Sequence, residues 1–104
     1  MTPRRDVLEK RIRELAKDSE NVTWEAETHE MHVAERMERR GIDDMMMFEV
    51  LRTGYLEDEI KPGKNPGEWK GKMVKKMRGQ REVGVVTIVI HNARLFIKTV
   101  EWED

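Results

Sequence analysis

Residues 83–102 read VGVVTIVIHNARLFIKTVEW, and the fold turns on how this stretch is read. Val83, Val85, Thr87 and Val89 alternate with Gly84, Val86, Ile88 and Ile90. A strand here is apolar on both sides, the pattern of an interior strand covered on both faces. His91-Asn92-Ala93-Arg94 breaks the run at Asn92, a residue that tolerates left-handed backbone, and apolar residues resume at Leu95, so the stretch predicts a hairpin. The second strand places Leu95, Ile97 and Thr99 on one side and Phe96, Lys98 and Val100 on the other, with Lys98 interrupting an apolar face.

Around this hairpin, 104 residues suffice for one domain with one modest core. The chain is 39% charged and 38% hydrophobic, so it can fold with little apolar surface to spare. The absence of cysteine excludes disulfides, thiolate zinc and a cysteine nucleophile, and suits a reducing cytoplasm. No apolar run exceeds strand length and MTPRRDVLEK lacks a signal core, so neither membrane insertion nor signal-directed secretion is expected. The net charge of −1 conceals segregation: residues 1–60 hold 10 Lys+Arg against 16 Asp+Glu, whereas residues 61–104 hold 10 against 5. Between 61 and 81, eight cations face only Glu68, a local field suited to a polyanion.

Working outward, Val7, Leu8, Ile12 and Leu15 predict an amphipathic helix from about Asp6 to Lys17, with Val22 and Trp24 forming a short extended approach to the next element. Met31, Ala34 and Met37 make the inward stripe of a second helix from about Thr28 that Gly41 stops. Asp43 is the expected N-cap of a third, with Met46, Met47, Val50 and Leu51 facing the core and Gly54 ending it. Met45 to Met47 read either as core filling or as an adaptable partner surface. Tyr55 to Ile60 alternates like a short strand, and residues 61–67, KPGKNPG, read as an irregular loop. Trp69, Gly71, Met73 and Met77 then separate from Lys70, Lys72, Val74, Lys76 and Arg78, with Lys75 signalling a possible register shift. The cationic side is either a bed for a phosphodiester backbone or a solvated edge protected by lysines. Helices first and an antiparallel meander after give an α+β class, with two or three N-terminal helices on a three- to four-stranded sheet.

His32-Val33-Ala34-Glu35-Arg36-Met37-Glu38-Arg39-Arg40-Gly41-Ile42, followed by Asp43-Asp44, resembles the His-x3-Arg-Met-x2-Arg-Gly-Ile signature of a family of small bacterial and phage domains regarded as relatives of the RelE/ParE toxin superfamily. Gly79-Gln80, the strand ending Ile88-Val89-Ile90-His91-Asn92 and the closing strand are similar to the C-terminal half of the motility quorum-sensing regulator toxin. The likeness spans roughly residues 22–102 and leaves residues 1–21 as an extra N-terminal helix. It implies a RelE-like domain, metal-independent cleavage of messenger RNA, no cofactor, and an antitoxin protein that holds the enzyme in check. One departure touches the chemistry: Glu101-Trp102 follows Thr99-Val100 where relatives often place a tyrosine.

RNA cleavage without a metal needs a base for the 2′-hydroxyl, cations for the phosphorane and an acid for the leaving oxygen. His32 and Arg36, four residues apart, share a helix face, and Arg40 continues it by a turn. Lys98, set between Phe96 and Val100, is a further candidate if desolvated, or it snorkels to water. His32, Arg36 and Lys98 are thus the catalytic candidates, with Arg40, Lys70, Lys72, Lys76, Arg78 and Arg81 along the RNA. The plainer reading makes His32 a boundary histidine and Arg36 an ion-pair partner. His29-Glu30-Met31-His32 has the wrong spacing for a zincin site, and Trp24, Tyr55 and Trp69 fit core filling better than base stacking. The competing function is a non-catalytic module that grips a partner protein or nucleic acid.

Overall fold

The computed structural model describes residues 2–24, 37–77, 79 and 81–103. A first helix, α1 (Arg5–Leu15), is followed by a 3-10 turn (Ser19–Asn21) and a short strand, β1 (Val22–Trp24). Residues 37–40 are helical, and α2 spans Asp44–Thr53. Five strands complete the chain: β2 (Tyr55–Leu56), β3 (Lys61–Pro62), β4 (Glu68–Lys76), β5 (Glu82–Ile90) and β6 (Arg94–Trp102). The sheet runs β1-β6-β5-β4-β2, and β3 also pairs with β4.

This corrects the expected architecture. The sheet has six strands rather than three or four, and it is mixed, because β1 joins β6 in parallel with Val22 opposite Leu95. A strand intervenes between α1 and the later helical segments, so the RelE-like order of N-terminal helices followed by an antiparallel meander does not hold. The error lay in very short strands: Val22-Thr23-Trp24 and Lys61-Pro62 are too brief to show alternation, and they exist because long neighbours template them.

Where the local code is strong, it governs. Asp43 caps α2 by accepting from the Met46 amide at 2.9 Å, and Met46, Met47, Val50 and Leu51 are buried. Met45 is 81% exposed, so only two of the three consecutive methionines fill the core. Gly41 adopts φ +71, and the bonds from Gly41 N to Glu38 O and from Ile42 N to Met37 O close a Schellman turn. Leu8, Ile12 and Leu15 bury one stripe of α1, while Val7 stays exposed. The ends of the two helices are tied by guanidiniums: Arg13 donates to Gly54 O, and Arg52 Nε donates to Ala16 O at 2.7 Å.

Both helices lie on one side of the sheet, over Met73, Val83, Val85, Val89, Leu95, Ile97 and Val100, and all of these are buried. Ile97 and Val100 share this side although three residues separate them, because the pairing passes from Thr87–Ile97 to Val86–Thr99 and leaves Lys98 unpaired in a β-bulge. The strict alternation expected for β6 therefore fails at one residue, and Lys98 does not interrupt an apolar face. The expectation that β5 is covered on both faces is also corrected: Val86, Ile88 and Ile90 are only half-buried.

Candidate nucleic-acid interface

The side of the sheet away from the helices is the candidate site. Register alone fixes its layout, since directly paired residues share a face. Lys61, Lys70, Ile88, Phe96 and Thr23 form one line across β3, β4, β5, β6 and β1. Glu68, Ile90 and Arg94 flank it toward the β5–β6 turn, and Lys72, Val86 and Thr99 flank it on the other side. Phe96, Ile88, Ile90 and Val86 remain half-buried, so an apolar strip with one aromatic ring meets solvent.

The expected side for Lys70, Lys72, Val74 and Lys76 is correct, but the row is not an open cationic rail. Lys72 Nζ lies 3.0 and 3.2 Å from the two Glu103 oxygens and 3.9 Å from Glu57. The Glu103 hydrogen bonds hold the Lys72 ammonium above its ordinary pKa against the opposing effect of burial. Lys61 lies 3.7 Å from Glu59. Lys75 causes no register shift: from the helix side its ammonium reaches Glu49 at 2.8 Å and the Thr53 hydroxyl at 2.7 Å, at the rim of α2. Carboxylates from elsewhere in the chain thus answer much of the positive charge concentrated in residues 61–81.

On this face the side chains of Lys70, Arg94 and Lys98 make no hydrogen bond or ion pair among the described residues. Lys70 sits directly opposite Lys61, a like-charge pairing that costs stability unless an anion lies between them. Arg94 and Lys98 are exposed on β6, on either side of Phe96 in sequence. The charge available to a polyanion therefore runs across the strands from β4 to β6 rather than along β4.

The other candidates fall elsewhere. Arg40 is structural in part: its Nη1 donates to Val100 O at 2.6 Å while Trp102 Nε1 donates to Arg40 O at 2.7 Å, latching the 37–40 turn onto β6. Arg81 stacks 4.2 Å above the Trp102 ring, and Lys76 is exposed at the end of β4. Lys98 is exposed on β6 rather than held between Phe96 and Val100 in an apolar setting. His32, Arg36 and Arg78 lie outside the described residues, as does the His29–His32 cluster. His91 is exposed in the β5–β6 turn with φ +51. Sequence reasoning passed over Phe96 and Arg94; the signal for them was present in the alternation of β6 before the bulge, but a two-sided core hid it.

No family model matches the chain, and neither a curated protein nor a solved structure is significantly similar to it.

Proposed function

We propose that this domain binds single-stranded RNA across the uncovered face of its sheet and cleaves it without a metal ion, as a toxin-like endoribonuclease restrained by an antitoxin protein. The observation that supports binding is the half-buried Phe96 and its aliphatic neighbours bordered by the unpaired cations Lys70, Arg94 and Lys98. Unstacked bases lie on aromatic rings, and phosphates take the flanking cations; a single strand offers both at once, whereas a duplex hides its bases. Cleavage rests on the resemblance of residues 32–44 to the toxin-related signature. In it, His32 moves the 2′-hydroxyl proton, Arg36 stabilises the phosphorane, and Lys98 supplies a further positive charge.

Purified protein incubated with messenger RNA in excess chelator should yield fragments ending in a cyclic phosphate or 3′-phosphate. His32→Ala should abolish cleavage and growth inhibition while leaving RNA binding intact. Failure of the folded wild-type chain to retain single-stranded RNA at low salt would overturn the reading. It would favour the non-catalytic alternative, a protein-binding face, for which the strip of Val86, Ile88, Ile90 and Phe96 inside a rim of mixed charge is the supporting observation.

A further inference from the structure

Glu103 follows β6, and its amide donates to Glu82 O at 2.8 Å, so the backbone ladder continues one residue past Trp102. From there its side chain crosses β5 on the uncovered face and reaches Lys72 on β4 with both oxygens. The path is open because residue 84 is glycine: a Cβ there would collide with Glu103 Oε2, and would stand 2.8 Å from Glu103 Cδ and 2.9 Å from Lys72 Cδ. The pair is largely withdrawn from water, with side-chain exposures of 29% for Lys72 and 16% for Glu103. Next to it lies a shallow depression lined by Lys61, Lys70, Lys72, Glu57, Glu59 and Val86. Lys70 and Lys72 are two residues apart on one strand face, about 7 Å by strand rise, a separation that successive phosphates of an extended single strand can follow.

A carboxylate presenting two oxygens to one ammonium satisfies the same donors as a phosphodiester. The ammonium is already ordered and partly desolvated, so an incoming phosphate meets a prepared partner and has only to displace a competitor. Building on the RNA-binding reading of this face, we propose that Lys72 is a phosphate subsite continuous with Lys70, and that Glu103 occupies it in the absence of RNA and thereby limits affinity. Opening the subsite requires only that the Glu103 side chain rotate away from Gly84, with the β5–β6 ladder left in place.

The test is a titration of the full chain with a labelled single-stranded oligoribonucleotide, followed by fluorescence anisotropy over a range of salt concentrations. Glu103→Gln should tighten binding roughly fivefold and steepen the slope of log K against log salt by about 0.7, the signature of one more phosphate contact on a single strand. Lys72→Met alone should change Kd less than about twofold, because Lys72 is already occupied, yet in the Glu103→Gln background it should erase the gain. Glu59→Gln removes the same charge without touching Lys72 and should have the smaller effect. Gly84→Ala, which pushes the Glu103 side chain off the sheet, should reproduce the gain and serves as the second route if Glu103→Gln fails to fold. An unchanged Kd and slope in Glu103→Gln would overturn the proposal, as would a gain that survives Lys72→Met, since that would be a long-range field effect. If wild type and Glu103→Gln both ignore RNA at low salt, the RNA-binding reading itself falls and takes the subsite with it. If wild type binds and Glu103→Gln is no different, the subsite alone fails.

Discussion

The helix side of the sheet and its uncovered side are built from the same three long strands and are both rich in aliphatic residues, but the second is closed only toward Val74 and Gly84 and stays open over the rest of its strip. Val85, Val89, Leu95 and Ile97 are at most 1% exposed beneath α1 and α2, whereas Val86, Ile88, Ile90 and Phe96, one residue over in each strand, stay half-buried. The difference teaches that hydrophobicity along β5 reflects two separate demands. One side is the core; the other carries a partly buried apolar strip among charges, the strip on which the proposed RNA contact rests.

The comparison is easiest to break by cutting the same volume from each side. Ile97→Ala should cost about 2–5 kcal/mol in chemical denaturation, and Ile88→Ala less, roughly 1–2 kcal/mol, since Ile88 is only partly buried. Equal costs would mean that the second face is covered after all. The glycines give a parallel contrast. An alanine at Gly54 places its Cβ 2.5 Å from Val50 O and 2.6 Å from Val74 O, both backbone, and should destabilise by about 2 kcal/mol or more. An alanine at Gly84 meets only the movable ends of Glu103 and Lys72 and should cost under about 1 kcal/mol. A thermal melt of each variant decides between them.

Function sharpens the contrast further. Phe96→Ala should weaken single-stranded RNA binding by about 1–3 kcal/mol, roughly five- to 150-fold in Kd. A modest effect is expected on the helix side, at Glu9. Burial raises its pKa, but the Leu56 amide, the Arg5 hydrogen bond and the charges of Arg13 and Arg5 outweigh that and hold it below the ordinary 4.5. A lowered folded-state value means that this stabilisation is complete above pH 4.5 and is lost as pH falls through the folded value. With both arginine side chains 40% exposed, the contribution is about 1 kcal/mol after screening. The stability gap between wild type and Glu9→Gln should therefore close on acidification, and a constant gap would refute the assignment.

Legibility followed the range of the interaction. Helix caps and stops at Asp43, Gly41 and Gly54 were readable because each is decided within a few residues, and the β5–β6 hairpin announced itself through its turn. The side assignment of Lys70, Lys72 and Lys76 was readable from period two. Their availability was not. Glu103 lies 31 positions from Lys72 and Glu49 lies 26 from Lys75, and no local pattern reveals which carboxylate will arrive.

The amino-acid sequence by itself determined the long strands, the buried stripes of both helices and the concentration of positive charge in residues 61–81, because periodicity and capping act locally along the chain. Only the tertiary structure decided that β1 closes the sheet in parallel, that a bulge at Lys98 turns Val100 inward, and that Lys72 is held by Glu103 while Lys70, Arg94 and Lys98 are not. Those outcomes depend on which distant groups the folded backbone brings within hydrogen-bonding or ion-pairing distance.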